Sequence, residues 1–568
     1  RYAFRVAETS FDPAAVVDLY SRVVTGHIFE GLYGYDPLAR PALIRPLTAA
    51  AMPEITDDYR VFTIRLRPGT FFADDPAFHG KRRELTAADY VYTLKRIADP
   101  AVRSPNWGLI EQNAIVGLAQ QRQRAIDGHR PFDYDAPVAG LQAIDRYTLR
   151  IELEHPSPRF VEVLAMGDIY GAVAREVVEA YGREIGAHPV GTGPFRLAQW
   201  RRASLIVLER NPGFRAVTYD ASPAPDDAEG RALLARFKGR RLPMIDRVEI
   251  SVIEQDQPRW LAFLNGDADF LERLPEAFSD VAMPGGRLAP NLAKKGIRAW
   301  RQVMPDELLT VFNMEDPVVG GYDAAHVALR RAIGLGIDLQ REARLARHGQ
   351  VIPAQSQVVP YTTGFDPKFR SEMSEFDRAR ARALLDLYGY VDRNHDGWRE
   401  QPDGSPLTIV IAAQSDQASH LLGELWQHNL AALGLRCSFT IAQWPENLKA
   451  VRAGKFMIWD VANQATQPDG LFALAYLYSP EVGGFNLARF RSPAFDALYR
   501  RLASEPDGPA RDADFLAAKR LSVAWMPYKV HGHRIVTDLA WPQLVGFRRP
   551  LFWQDWWEYV DIVPPAHH

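Results

Sequence analysis

Oxygen-bearing side chains alternate in one short stretch of this sequence as they do in calcium-binding loops. Asp392, Asn394 and Asp396 stand at every second position, and Gly397 follows them. Carboxylate and amide oxygens at this spacing suit Ca²⁺, and a glycine permits the sharp turn that such a loop needs. The twelfth position carries Asp403, where glutamate is usual. The stretch is therefore a candidate calcium loop, and its alternative is a purely structural turn.

Catalysis would need further groups, and the sequence offers two sets. Glu30 with Asp74 or Asp75 could form the carboxylate pair of a hydrolase, although such residues also cap turns or lie on the surface. His531 and His533 would face the same side of a strand, but two ligands are too few for a closed metal site. Neither Gly-x-Ser-x-Gly nor His-Glu-x-x-His occurs, and the 14 histidines are scattered. We therefore predict a protein that is not an enzyme and needs no cofactor.

Composition excludes other classes of function. Lys and Arg total 67 against 70 Asp and Glu, so the chain has no global attraction for nucleic acid or anionic membranes. The single cysteine, Cys437, excludes an internal disulfide and a cysteine zinc cage. No apolar run reaches the roughly 20 residues that span a bilayer. The start at Arg1 without a Met is as expected after removal of an export signal, and His567 and His568 are interpreted as a tag remnant.

Hydrophobic periodicity predicts the elements that would position these groups, and their mixed order predicts sheets flanked by helices. The predicted helices cover 16–29, 86–97, 260–264, 325–345, 377–388 and 417–432, and the predicted strands cover 60–66, 195–197, 205–208, 248–253, 308–312, 407–413 and 436–442. Thr86 is the expected N-cap of the second helix. Gly191 and Gly193 are expected to permit tight turns ahead of the strands that follow. The segments 120–135 and 215–240 are interpreted as surface insertions.

One ordered set of motifs resembles a known family. Residues 189–195 read Pro-Val-Gly-Thr-Gly-Pro-Phe, and a Trp, an Ile-Val-Leu-Glu-Arg-Asn-Pro strand and an aromatic follow by residue 214. This order resembles the signature of the family 5 solute-binding proteins of bacterial ABC importers, which include oligopeptide, dipeptide and nickel binders. Further matching motifs lie at 29–32, 86–96, 330–338, 377–390 and 490–496.

The resemblance implies an α/β fold of the periplasmic binding protein type II-like class, with two hinged α/β lobes and an inserted extra lobe. On that template lobe I comprises 1–44, 186–308 and 530–568. The inserted lobe II comprises 45–185, and lobe III comprises 309–529.

The function that the resemblance implies is capture of a small solute, peptide-like or otherwise amphiphilic, in a cleft between lobes that close about a hinge. The receptor would be a periplasmic monomer, free or lipid-anchored, and would deliver its solute to ABC permease subunits in the inner membrane. The alternatives are a receptor for an opine, a sugar or a metal chelate, and, more remotely, the carboxylate hydrolase or an extracytoplasmic scaffold.

The family template also implies ligand-binding residues. In peptide-binding members a cleft Asp, four residues before a Pro, pairs with the ligand's ammonium group, and Gln464 stands at that position here. A neutral amide cannot compensate a buried ammonium, so Asp460 is expected to substitute in a shifted register. Large aromatic rings near the cleft are the other candidates, with packing in the core as their alternative. These aromatic candidates are Tyr33, Trp107, Trp444, Trp459 and Phe485, with Tyr35, Tyr476 and Tyr478 beside them.

Overall fold

The computed structural model describes residues 1–16, 18–414 and 417–563, so His567 and His568 lie outside the described residues. The chain divides into two compact units. Unit one comprises Arg1–Pro275, Leu288–Trp300 and Thr537–His568, and unit two comprises Glu276–Arg287 and Arg301–Val536. Within the described ranges, no helix combines the length and the apolar character needed to cross a membrane. The division into three lobes stays a prediction.

Unit one contains two four-stranded sheets. The strands of the first, in spatial order, are Tyr2–Phe4, Arg247–Val252, Leu205–Arg210 and Phe195–Arg201, and those of the second are Glu54–Thr56, Val61–Arg65, Thr148–Glu152 and Leu141–Ala143. Tyr2–Phe4 runs parallel to its neighbour, with Tyr2 opposite Ile250, and the other pairs are antiparallel. Short two-stranded pairs join Tyr33–Tyr35 to Ile44–Pro46 and Leu544–Val545 to Asp561–Ile562.

The helices of unit one include the predicted ones. They are Leu19–Ile28, Ala87–Ala98, Trp107–Gln112, Leu118–Asp127, Phe160–Leu164, Gly167–Tyr170, Arg175–Tyr181, Ala228–Phe237, Asp256–Leu264 and Pro290–Ala293. Thr86 caps the second of these, as predicted, and forms a capping box with Asp89. That helix buries Tyr90, Leu94 and Ile97, the stripe that its periodicity predicts.

Unit two is built on a mixed sheet. The long strand Tyr528–Ala540 takes part in this sheet, and its last residues belong to unit one. The strands that follow it in spatial order are Asp306–Phe312, Ile458–Gln464, Thr408–Ala413 and Arg436–Ile441. The central pair is antiparallel, with Thr310 opposite Asp460. The helices of unit two are Ser279–Ala282, Ala324–Gly336, Leu339–Leu345, Arg378–Leu387, Gln417–Ala431, Trp444–Arg452, Leu471–Leu474, Pro493–Ser504 and Pro509–Trp525. The predicted helix 325–345 is thus two helices, because Asp338 caps a new one by accepting a hydrogen bond from the Arg341 N–H at 2.9 Å.

The segment 215–240 lies between two strands and is mostly exposed, as its polar composition predicts, but it is not simply a loop. It contains the helix Ala228–Phe237, which Asp227 caps through the Gly230 N–H at 2.9 Å. Phe237 is fully buried and packs in a small apolar cluster with Tyr219 and Tyr559. The helix was not predicted, and of its residues only Gly230 and Phe237 are buried. The other predicted insertion, 120–135, likewise carries helical residues, within Leu118–Asp127.

The glycines of the 189–195 motif serve close packing rather than tight turns. Neither Gly191 nor Gly193 has a positive φ. A Cβ at Gly191 would lie 2.1 Å from the Ile28 carbonyl oxygen, and one at Gly193 would lie 2.6 Å from it. The Gly193 N–H donates to that same oxygen at 2.8 Å. The motif therefore needs glycine because its backbone lies directly against the end of the helix Leu19–Ile28.

Candidate ligand-binding site

The central strands of unit two and two neighbouring helices form a cavity of about 190 Å³. At roughly 10–15 Å³ for each water-sized group, this volume accommodates a group of about a dozen heavy atoms. Its lining combines apolar side chains with several charged ones. The lining residues are Leu308, Leu309, Glu342, Arg347, Gln414, Ser419, Leu422, Asp460, Val461, Ala462, His531 and Arg534.

A chain of hydrogen bonds runs along one wall of this cavity. Oδ1 of Asp460 accepts from the Thr310 hydroxyl at 2.5 Å, and Oδ2 accepts from the Trp426 indole N–H at 2.8 Å. His531 Nε2 lies 2.7 Å from the Thr310 hydroxyl oxygen, and His531 Nδ1 lies 2.7 Å from Glu342 Oε2. An ionised carboxylate only accepts, and a hydroxyl that donates to Asp460 can accept from Nε2. These contacts join Asp460, Thr310, His531 and Glu342 into one continuous chain of polar groups.

The pKa values of the two carboxylates in this hydrogen-bond chain shift in opposite directions. Burial alone would raise the pKa of Glu342, but the charges of His531 and Arg347 outweigh it and lower that pKa to about 2. Burial raises the pKa of Asp460, and the nearby charge of His531 and the two donated hydrogen bonds offset this only in part. Glu342 is therefore a fixed anion that holds His531. Asp460 is a desolvated carboxylate for which a bound cation would be a favourable partner.

Arg347 supplies a cation to the same cavity. Its Nε lies 3.4 Å from Glu342 Oε1, and among the described residues this is its only side-chain partner. The second arginine of the lining, Arg534, is held by Asp306 through an Nε–Oδ2 contact of 2.5 Å. Within the described part of the chain, the Nη donors of Arg347 have no side-chain partner, and guanidinium N–H pairs bind carboxylates bidentately. The cavity presents one available cation and one desolvated acid, an arrangement suited to a zwitterionic solute.

The structure places Asp460 in this cavity and distributes the other predicted ligand residues elsewhere. Trp459 is 1% exposed and belongs to the core of unit two, because its ring points away from Asp460 on the alternating strand. Gln464 ends the same strand, opposite Asp306. Trp444 is 47% exposed at the first residue of its helix.

The remaining predicted aromatic residues differ widely in burial. Phe485 is exposed and meets Phe472 and Tyr476 edge-on in unit two. Tyr33 and Trp107 lie in unit one and are both buried. The Arg122 guanidinium lies 5.2 Å from the centre of the Trp107 ring.

The candidate calcium loop uses most of its oxygens internally. Asp392 accepts backbone N–H groups of Asp396 and Gly397 at 3.2 and 2.9 Å, and Asn394 accepts that of Asp396 at 2.9 Å. Arg436 forms an ion pair with Asp396. Asp403, the predicted twelfth ligand, instead accepts from the Ser405 N–H at 2.9 Å.

A third carboxylate does reach this loop. Ligand atoms of Asp392, Asp396 and Glu400 lie within 4.8 Å of one another, the one such group found among the described residues. Glu400 ends the stretch 392–400 whose sequence resembles the start of a calcium loop. Calcium binding here stays a prediction.

The alternative catalytic sets are held in structural interactions. Glu30 accepts from the Thr192 hydroxyl at 2.9 Å and pairs with Arg215 at 2.6 Å. Asp75 caps a short turn through the Ala77 N–H at 2.9 Å. His533 donates through Nδ1 to the Asp306 carbonyl oxygen at 2.6 Å. His531 instead contacts Thr310 and Glu342, so the two histidines have different partners.

Sequence reasoning missed Thr310, Glu342, Arg347 and Trp426. They come from three segments far apart in the chain, with Glu342 and Arg347 on one of them, so no local spacing connects the whole set. The one available signal was the His531-x-His533 alternation, which marks a polar strand face in an otherwise buried strand.

Comparison with known proteins gives the family. The model for bacterial extracellular solute-binding proteins, family 5 (middle region) matches residues 44–485. A di/tripeptide-binding protein of Pseudomonas aeruginosa is 25% identical over 551 residues, which cover 95% of this chain and 91% of that protein. The periplasmic murein peptide-binding protein of Escherichia coli K12 is 23% identical, with 91% and 84% of the two chains covered.

Among solved structures, the periplasmic binding protein DppA of Helicobacter pylori with the peptide STSA has a TM-score of 0.72 at 20% identity, covering 99% of this chain and 97% of that one. These matches confirm the predicted family and the periplasmic binding protein type II-like α/β fold. They also confirm the predicted class of function, a solute-binding component of an ABC importer. The chain therefore belongs to the family 5 bacterial extracellular solute-binding proteins.

Proposed function

We propose that this receptor binds a small peptide or a peptide-like zwitterion, and that the cavity of unit two holds its charged groups. The observation that carries the proposal is the pairing of an available Arg347 guanidinium with a desolvated Asp460 carboxylate in one cavity. The relatives described above carry di/tripeptide-binding and murein peptide-binding names, which supports this class of solute.

In the proposed complex, Arg347 takes the carboxylate of the solute and Asp460 takes its ammonium group. Each oxygen of Asp460 accepts one hydrogen bond from the protein and keeps a second lone pair for the ligand. Glu342 and His531 act as positioning residues, because they hold Arg347 and, through Thr310, Asp460.

The further parts of the proposal follow the family. The receptor functions as a monomer in the periplasm, free or lipid-anchored, and passes its solute to an ABC permease. Solute contacts with two lobes would favour their closed arrangement, since a ligand shifts a conformational equilibrium by its differential affinity. We place the exposed aromatic candidates of unit two, Trp444 and Phe485, at the apolar parts of the solute, and Gln464 as a neutral hydrogen-bonding group beside them.

The first experiment is native mass spectrometry of the purified protein, with denaturing extraction of any bound molecule. Released masses that differ by amino-acid residues would support a peptide receptor. A single opine, sugar or metal chelate would contradict the peptide assignment.

The second experiment tests the site with a dipeptide and isothermal titration calorimetry. Arg347→Ala is expected to weaken dipeptide binding about tenfold to a hundredfold, because a charge-assisted hydrogen bond contributes roughly 1.5–3 kcal/mol. Arg344→Ala is the matched control, since Arg344 is exposed on the neighbouring helix Leu339–Leu345. Equal affinities of the two variants would place the carboxylate elsewhere.

A further inference from the structure

A second, smaller cavity lies inside unit one, beside the end of the helix Leu19–Ile28. Its volume is about 40 Å³, room for roughly three water-sized groups at 10–15 Å³ each. The residues that matter in its lining are Glu30, Tyr35, Asp168, Trp553, Asp555 and Glu558. Four carboxylates, the Arg22 guanidinium and four aromatic rings thus surround a space of head-group size.

Two of the four carboxylates have ion-pair partners, and two have none among the described residues. Asp168 pairs with Arg22 at 2.5 Å, and Glu30 pairs with Arg215 at 2.6 Å. For Asp555, burial and the charge of Glu558 raise the pKa well above its ordinary value. Burial likewise raises the pKa of Glu558, although Arg45 and Arg215 offset part of the effect. A cation in the cavity would supply the missing counter-charge.

A buried hydroxyl points to a ligand independently of these charges. Tyr35 is 5% exposed, and its Oη has no hydrogen-bond partner among the described residues. Its ring stacks on Trp553 with centroids 5.0 Å apart and planes at 14°. Burial raises the pKa of Tyr35, and the charges of Glu162 and Asp168 add to this effect. Buried polar atoms are normally hydrogen-bonded, so this one indicates a polar group that completes the site.

The segment that carries Asp555 is held firmly in place. His27 donates through Nδ1 to the Val23 carbonyl at 2.6 Å, and its Nε2 accepts the backbone N–H groups of Trp556 and Trp557 at 2.9 and 3.0 Å. Its ring also stacks on Trp557 at 3.8 Å. The acidic groups are therefore fixed in position before any ligand arrives, which lowers the entropic cost of binding.

We propose that this cavity is a second binding site, distinct from the solute cavity of unit two, that takes the primary ammonium head of a small molecule. Asp555 and Glu558 serve as counter-ions, Tyr35 Oη accepts an N–H, and Trp553 forms an aromatic wall for the cation. A divalent metal is a poorer fit, because the described residues bring three metal-ligand atoms together only at Asp392, Asp396 and Glu400. The ammonium belongs either to a free alkylamine or to the lysine side chain of a small solute.

The test uses the full chain and methylammonium chloride as the probe, with thermal unfolding and calorimetry as readouts. Tetramethylammonium and potassium chlorides at equal ionic strength are the controls: tetramethylammonium has the same charge but no N–H donor and a larger head. We expect saturable stabilisation by methylammonium alone. Equal responses to all three salts would overturn the proposal.

Two variants locate the binding. Asp555→Asn is expected to weaken methylammonium binding at least about tenfold, and Tyr35→Phe, which keeps the stacked ring, by about threefold. Asp220→Asn, an exposed carboxylate of unit one outside the cavity, should not change it. Unchanged binding in a folded Asp555→Asn or Tyr35→Phe protein would contradict the assignment. Competition with lysine-containing and lysine-free dipeptides then distinguishes a solute side chain from a free alkylamine.

Discussion

Some residues that line the unit-two cavity are held by side chains that do not line it themselves. Thr310 is the clearest example, because its hydroxyl joins Asp460 to His531 at 2.5 and 2.7 Å while lying fully buried. Without that hydroxyl, a carboxylate oxygen and an imidazole nitrogen would both lose a partner in a desolvated wall. The position of the acid therefore depends on a side chain that carries no charge.

Replacing Thr310 by valine tests this dependence with little change in shape. We expect Thr310→Val to destabilise unit two by about 1–3 kcal/mol, the usual cost of leaving a buried polar group unsatisfied. Hydrogen exchange of the strand Asp306–Phe312 measures the change. Thr440→Val, at an exposed position of the same sheet, should stay within about 0.5 kcal/mol. Equal protection in both variants would show that the hydroxyl is dispensable.

Contacts between elements explain the glycine motif at 189–195 better than turn geometry does. The Gly191 backbone lies against Ile28, and Asn211 Nδ2 donates to the Gly193 carbonyl at 2.9 Å. A strand entry, a helix end and the loop after the next strand are thereby joined at one point. The packing of three elements, rather than any single turn, restricts these positions to glycine.

A substitution at this junction is expected to disturb all three elements. Gly191→Ala should destabilise unit one by about 3 kcal/mol, at the upper end for overpacking, because the added Cβ meets backbone that cannot rotate away. Gly108→Ala is the control, since a Cβ there meets nothing within 4 Å. That change should stabilise its helix by about 0.5–1 kcal/mol. Denaturant midpoints measure both, and a tolerated Gly191→Ala would refute the close-approach argument.

Across the whole molecule, each unit contains a buried group whose protonation links stability to pH. In unit one, burial lowers the pKa of His27 to about 3. In unit two, the pKa of Glu342 is lowered to about 2. The unfolded chain binds a proton at His27 below its ordinary value near 6.5, and at Glu342 below about 4.5. Through these two groups, a falling pH should begin to lower the free energy of unfolding of unit one at a higher pH than that of unit two.

The sign of the His27 effect gives a direct prediction. The neutral His27 ring contributes fully to the free energy of unfolding above about pH 6.5. This contribution falls as the pH drops toward 3, by up to about 1.4 kcal/mol per pH unit. His27→Gln keeps an acceptor and a donor but does not titrate, so it should flatten this dependence between pH 6.5 and 5. Hydrogen exchange of 19–28 and 553–560, corrected for intrinsic rates, measures it. The exposed His420→Gln should behave as the native chain does, and identical slopes in all three proteins would exclude His27.

Local signals were sufficient for many elements and insufficient for others. Thr86 with Asp89 marked a helix start, and alternation marked the strands Val61–Arg65 and Arg436–Ile441, because caps and period-two patterns depend on neighbouring residues. The helix Ala228–Phe237 escaped notice, since its burial comes from Tyr219 and Tyr559, the latter far along the chain. Asp460 was predicted from its place in a family motif, whereas its partners were not predicted at all.

The sequence by itself determined the family, the α/β class and several of the longer helices and strands of this protein, because each depends on motifs or periodicities within a few tens of residues. Only the tertiary structure decided which charged groups meet. Glu342, Thr310, Asp460 and His531 lie on four separate segments, and strand pairing with helix packing brings them to one wall. The same holds for Tyr35 and Asp555, separated by more than 500 residues in the chain. Hydrogen bonds and electrostatic interactions depend on distances in space, and those distances exist only once the chain has folded.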